Sequence, residues 1–470
     1  MKFRILAIDL FERDVRLRMP FRFGVVTLTE APQGFARVRI RLDDGREAVG
    51  GSAELLAPKW FDKNPALTNE DNFEQLRLSL SLARDAYLAG GSDTAFGHHR
   101  THYAEQITAG AARGLNSLVA CYGPALIDRA LLDALCRAAG VSFYAAVRTN
   151  LVGLTPFEGI DLPGYAAGLT SAARIDARHT VGLVDRITAA DKADARDAVG
   201  DGLPETLEQV VANYGHTYFK LKVGGDVVAD IDRLRAIAAV LDEIDKPYFA
   251  SLDGNEQYEN VEGIMELWAR MKGDPRLSRL VESVIFIEQP IKRQNAFAEH
   301  VGRLSSERPV IIDESDDSLD AFPRARALGY RGVSSKTCKG LYKSLINRAR
   351  CREWDRQEGD GTFIMSAEDL TIQAGLALQQ DLALVSLLGL THVERNGHHY
   401  VNGMAGLPNA EQAAFLGAHG DLYERSNGAV RVAIRAGSLA IGSLDCVGFA
   451  SGALPDWNAM REMKHAKEII

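Results

Sequence analysis

From about residue 178 to residue 400 the chain alternates short apolar runs with helical stretches, and this alternation constrains the fold more than any other feature. The runs are HTVGLV (179–184), YFKLKV (218–223), YFASLD (248–253), VIFIEQP (284–290), PVIID (309–313), GVSSK (332–336), TFIMS (362–366) and LTHVE (390–394). Helical patterning lies between them near 203–214, 227–243, 261–272, 295–305, 318–328, 341–355 and 369–380. Runs this short and this apolar are what parallel strands buried on both faces require. Eight strands so connected fit a closed barrel better than an open sheet.

The flanks have a different grammar. Residues 1–60 pattern as strands. GFARVRIR (34–41) alternates apolar and basic side chains, and Asp43-Asp44-Gly45 follows as a turn. Residues 66–148 are helical in pattern, with Gly140 placed to end a helix. The expected organisation is an α+β domain over 1–150, a barrel over 178–400, and a segment 401–470 that packs back on the first domain. Within that segment RVAIRAGSLAIG (431–442) reads as a strand pair.

Composition removes several function classes. The 470 residues carry 63 acidic and 54 basic side chains, a net charge of -9, which gives no electrostatic reason to bind nucleic acid or an anionic membrane. No window reaches 18 uncharged apolar residues, so no membrane span is expected. Asp9 and Glu12 interrupt the first apolar stretch too early for a signal peptide. Five cysteines, widely spaced and without a CxxC pair, read as reduced thiols of a cytoplasmic protein. His98-His99-His102 and His398-His399 read as hydrogen-bonding side chains.

The chemistry gathers at consecutive strand ends. The second run carries Lys220 and Lys222, the third ends in Asp253, the fourth in Glu288, the fifth in Asp313 and the sixth in Lys336. The gaps from Lys222 onward are 31, 35, 25 and 23 residues, each about one β–α unit. In a parallel barrel, residues so spaced share the C-terminal rim, where barrel active sites form. Three carboxylates brought together need a cation, and an all-oxygen set suits Mg²⁺, with Mn²⁺ as a second choice. Lys220 and Lys222, two apart on a strand, share a face. One ammonium should depress the pKa of the other, as a lysine base requires.

KLKVGGD (220–226), DGN (253–255), IEQPI (287–291), DES (313–315) and SKTCKG (335–340) together resemble the enolase superfamily, in its muconate lactonizing enzyme-like (mandelate racemase/muconate lactonizing enzyme) branch. LIDRALLDALCRAAGVSFY (126–144) is similar to the family's helix before the barrel, and residues 19–40 to its capping strands and loop. The resemblance implies a modified TIM-type (β/α)7β barrel with an N-terminal α+β capping domain completed by the C-terminal segment. It implies Asp253, Glu288 and Asp313 as Mg²⁺ ligands, Lys222 as the base on one face with Lys220 beside it, and Lys336 as acid or base on the other. Asn255 and Glu314 would support the ligands, and His392 and Glu394, at the end of the eighth strand, could reach substrate.

The activity so implied is abstraction of a proton α to a carboxylate of a small molecule through an enediolate, giving racemisation, epimerisation or cycloisomerisation. Dehydration of an acid sugar or hydroxy acid, in the manner of o-succinylbenzoate synthase, and a non-catalytic binding barrel are the alternatives. A homo-oligomer is expected. The mandelate racemase-like branch uses a His after strand seven, whereas Ser366-Ala367-Glu368 stands here. Dipeptide epimerases carry Asp-x-Asp at strand eight, whereas His392-Val393-Glu394 stands here. The chain is longer than family members typically are, with the surplus near 64–114, 150–177 and the C-terminus. Substrate identity does not transfer by resemblance.

Overall fold

The computed structural model describes residues 1–23, 26–191, 199–359, 361–370, 372–397 and 399–463. Its first unit is an antiparallel sheet of β1 (Phe3–Phe23), β2 (Val26–Leu42) and β3 (Glu47–Leu55). The alternation in 34–41 places Val38 and Ile40 in the core, with Arg39 and Arg41 outside, while Phe35 on the arginine face is covered by Trp457. Gly45, at φ 91°, closes the expected turn by donating its N–H to the Leu42 carbonyl at 2.9 Å.

Three helices, α1 (Asn69–Ala89), α2 (Ala95–Ala111) and α3 (Ser117–Ala139), cover this sheet. Thr68, Thr94 and Asn116 cap their N-termini, and Gly140 in the left-handed region ends α3. The segment 64–114 contains α1 and α2, both packed against α3. Asp128 of α3 accepts hydrogen bonds from Tyr87 and faces His99 Nδ1 at 2.7 Å, while His98 Nε2 meets the Phe3 carbonyl at 3.2 Å. His399 is likewise buried, 3.7 Å from Asp185, and His398 lies outside the described residues.

The sheet meets α3 most closely at Gly50. A methyl group built there would stand 2.2 Å from the Ala134 nitrogen and 2.4 Å from the Ala130 carbonyl oxygen, both backbone atoms that cannot step aside. Gly50→Ala is expected to destabilise the protein by about 2–3 kcal/mol or more, the range for overpacking a close contact. Urea unfolding of the variant checks it, and an unchanged midpoint would contradict the packing described.

The second unit is the barrel. Its strands are β4 (Arg174–Val181), β5 (Tyr218–Lys222), β6 (Phe249–Asp253), β7 (Val284–Glu288), β8 (Val310–Ile312), β9 (Gly332–Ser335), β10 (Ile364–Ala367) and β11 (His392–Glu394). They pair in parallel in the order β10-β9-β8-β7-β6-β5-β4-β11, a ring closed but for the β10–β11 seam among the described residues. A helix stands in each of the seven connections, from Leu207–Tyr214 to Leu376–Leu387. The architecture is the expected (β/α)7β barrel beside an antiparallel α+β cap.

Three local expectations are corrected. The first strand begins at Arg174, five residues early. The helix expected at 369–380 is Leu376–Leu387, because Asp369 Oδ1 instead accepts the Ile372 N–H in a turn at 2.7 Å and Gly375 takes φ 103°. RVAIRAGSLAIG is not a strand pair. Its first part lies in β13 (Ala429–Val432), which pairs with β12 (Tyr423–Ser426), and β14 (Ser438–Ala440) runs antiparallel to β4 of the barrel. β15 (Arg461–Glu462) returns to β1 in the cap, so the C-terminal segment joins both units.

Candidate active site

Register brings the strand ends to one level. Lys222 pairs with Asp253, which in turn pairs with Glu288 across β5, β6 and β7. Asp313 and Lys336 follow directly after β8 and β9. Lys220, Lys222, Asp253, Glu288, Asp313 and Lys336 are all buried. Strands β5 and β9 are four steps apart around an eight-stranded ring, so Lys222 and Lys336 enter from across the barrel.

Each ammonium sits on carboxylate oxygen. Lys222 Nζ donates to Asp253 Oδ2 at 2.5 Å, and Lys336 Nζ to Asp313 Oδ2 at 2.5 Å. Lys220 Nζ is shared by four acids: Asp253 at 2.9 Å, Glu288 at 2.8 Å, Glu368 at 2.7 Å and Glu394 at 3.1 Å. Lys339 lies 3.4 Å from Asp313 Oδ1 and donates to Ser334 at 2.8 Å, so both lysines of SKTCKG face this aspartate.

These contacts set the protonation states. Burial opposes the charged form of Lys220, but Asp253, Glu288, Glu368 and Glu394 outweigh it and raise its pKa well above the usual lysine value. Asp313 does the same for Lys336 against the same burial. The mutual depression expected of the lysine pair is therefore not what Lys220 experiences, because four acids outweigh one neighbouring ammonium. Burial also opposes ionisation of Asp253, yet Lys220 and Lys222 hold it below the usual carboxylate range. Glu288 goes the other way: burial, then Asp253 and Glu368, push it well up.

Among the described residues no three acid, imidazole or thiol groups converge as a ready cation cage. Ammonium groups stand between the acids instead. The donor set is nonetheless all oxygen, and buried Glu288 Oε2 makes no well-directed hydrogen bond even though Lys220 Nζ is 2.8 Å away. An acid crowded by other acids, with an unsatisfied oxygen, suits a hard divalent cation.

Residues 202–357 match the family model described as enolase C-terminal domain-like. This segment holds five of the eight barrel strands, β5 to β9. No curated protein matches the chain. Solved structures do: a mandelate racemase/muconate lactonizing protein from Herpetosiphon aurantiacus (17% identity, 95% of this chain and 97% of that one, TM-score 0.59) and a muconate lactonizing enzyme from Pseudomonas Fluorescens complexed with muconolactone (17%, 95% and 96%, TM-score 0.58). A dipeptide epimerase from Enterococcus faecalis V583, complexed with Mg and the dipeptide L-Leu-L-Tyr, is similar at 14% identity over 95% and 99% with TM-score 0.58. At such identities the likeness establishes the fold, a cap with an enolase-type barrel.

Within this barrel the supporting residues fall into place unevenly. Asn255 donates its backbone N–H to Asp253 Oδ1 at 2.8 Å and its Nδ2 to Glu314 Oε1 at 3.2 Å, tying two strand ends together. Glu394 reaches Lys220. His392 does not reach the rim: two residues earlier on the same inward face, it stacks on Tyr218 at 4.7 Å and meets Arg178 at 3.0 Å, one layer below. Burial, and then Arg178, push its imidazole down to about 3.

Other residues of the site were not singled out from the sequence. Gln289, in the left-handed region at φ 32°, accepts the N–H groups of Asp313 and Ser315 at 2.9 and 3.1 Å and so bolts the β7 and β8 ends together. Glu368, which in sequence could equally cap the next helix, turns inward to Arg178 and Lys220. The rule that found Glu288 would have found it, since it directly follows β10. The cap contributes Trp60, whose ring lies 4.4 Å from Lys336 Nζ, and Phe21, 5.9 Å from Lys222 Nζ. It also contributes Lys63, 2.5 Å from Glu256 and 3.5 Å from Glu314. No local signal marks these three, because the approach is set by how the cap seats on the barrel.

Proposed function

We propose that this chain abstracts the proton α to a carboxylate of a small-molecule substrate, with Asp253, Glu288 and Asp313 holding Mg²⁺ or Mn²⁺. The observation that carries the reading is the placement of two buried lysines, Lys222 and Lys336, across the barrel from one another around those three acids. A bound cation would offset the negative charge that builds on the substrate carboxylate as its α-proton leaves. Lys222 takes the proton on one face of the α-carbon, and Lys336 holds a proton on the other. Trp60 and Phe21 cover the lysines from the cap side and exclude water. Return of a proton on the opposite face gives racemisation or epimerisation, and ring closure gives cycloisomerisation.

The dipeptide epimerase that the fold resembles does not decide the substrate. In this chain Glu394 is occupied by Lys220, Thr180 and the Asp369 N–H. The test is deuterium uptake at the α-carbon, followed by NMR, for a panel of chiral carboxylic acids, N-acyl amino acids, dipeptides and acid sugars in D₂O with Mg²⁺. Exchange on at least one compound that stops on adding EDTA is expected. Dehydration without solvent exchange would move the activity to a lyase, and inertness across the panel at saturating Mg²⁺ would count against an enzyme.

A further inference from the structure

Lys220 has more acid partners than its three N–H bonds can serve equally. Asp253 and Glu288, on one flank of β5, lie 2.9 and 2.8 Å from its Nζ. Glu368 and Glu394, reached around the other flank, lie 2.7 and 3.1 Å away. The first pair are proposed cation ligands and the second pair are not. The second pair are also anchored without Lys220. Glu368 accepts from Arg178, its backbone N–H donates to the Ser335 carbonyl at 3.0 Å, and Glu394 accepts from Thr180 and from the Asp369 N–H at 2.9 Å.

We infer that Glu368 and Glu394 form a parking site for the Lys220 ammonium, which lets Asp253 and Glu288 exchange that ammonium for a divalent cation. The inference rests on the reading of Asp253, Glu288 and Asp313 as cation ligands. A cation entering this site takes over Asp253 and Glu288, the two acids that now hold the Lys220 ammonium from one flank. Without other acids in reach, Lys220 would be left as an uncompensated charge, and burying such a charge is strongly unfavourable. Glu368 and Glu394 remove that penalty, because the ammonium keeps two counter-charges after it lets go of the others. Glu368 and Glu394 are thus positioning residues acting through Lys220.

The test is calorimetric titration of MgCl₂, without substrate, into the wild-type chain, Glu394→Gln, Lys220→Gln and the double variant. Gln at 394 keeps the size and one of the two acceptor oxygens, which Thr180 and the Asp369 N–H now use separately, and removes the charge. Glu394→Gln should weaken Mg²⁺ binding about tenfold in the wild-type background and less than about twofold in the Lys220→Gln background, as expected of two residues that act through one contact. Glu368→Gln, run alongside with circular dichroism on every variant, should repeat the pattern and serves if the first variant does not fold. An equal loss in both backgrounds would mean that the glutamates act as distant charge and would overturn the inference alone. Absence of Mg²⁺ binding by the folded wild type would overturn the cation-site reading and this inference with it.

Discussion

Replacing Lys222 by Ala should lower substrate α-proton exchange by about 10³-fold, within the range that a positioned general base contributes. The side chain is buried, ends 2.5 Å from Asp253, and reaches the rim from β5. Removing it takes away the proton acceptor on that face and one hydrogen bond to Asp253, which keeps Lys220 at 2.9 Å. Lys336→Ala is expected to be as damaging to interconversion of enantiomers, yet to differ in one readout. With Lys222 intact, the stereoisomer whose α-hydrogen faces it should still exchange in D₂O while its product enantiomer fails to form. NMR of each enantiomer separately distinguishes the two variants. Equal exchange of both enantiomers in Lys222→Ala would contradict the assignment of one lysine to each face. Because Lys336 also lies over Trp60 and against Asp313, a thermal melt of that variant separates lost chemistry from lost structure.

Glu288→Gln should have opposite effects on stability and on cation binding. Burial and the neighbouring acids Asp253 and Glu368 hold the Glu288 carboxyl well above its usual pKa, so in the cation-free protein its charge is a burden. A neutral, isosteric Gln relieves that crowding, and the melting temperature without metal should hold or rise. The same change removes a central anionic ligand. Altering even the outer partners of a metal ligand costs about 10–100-fold in affinity, so loss of the ligand itself should weaken Mg²⁺ binding at least about 100-fold. Calorimetry for affinity and scanning calorimetry for stability check the two arms together. Unchanged Mg²⁺ affinity would remove Glu288 from the cation site. A large fall in apo stability would show instead that Glu288 is ionised and structurally required as the partner of Lys220.

Much of the candidate site was legible from residue order. Lys222, Asp253, Glu288, Asp313 and Lys336 each end a strand or directly follow one, and a parallel barrel brings every such position to the same rim. His392 was misplaced because alternation along a strand tells inside from outside but not which layer a side chain enters. It shares the inward face with Glu394 and ends one layer lower, against Tyr218. Glu368 was read ambiguously because an acid after a short strand fits both an inward position and the cap of a following helix. In the structure that helix starts only at Leu376.

The order of strands and the rim where the lysines and acids gather were determined by the sequence alone, because the β–α repeat and the two-residue period of a strand are local properties. Two things were decided only by the tertiary structure. One is the pairing of ammonium with acid, as in Lys220 taking Glu394 at a separation of 174 residues. The other is the cover that Trp60 and Phe21 bring from the cap. Both depend on groups that only ring closure and domain seating bring within a few ångströms, and in a buried site the order of ionic pairings follows those distances rather than the order of residues in the chain.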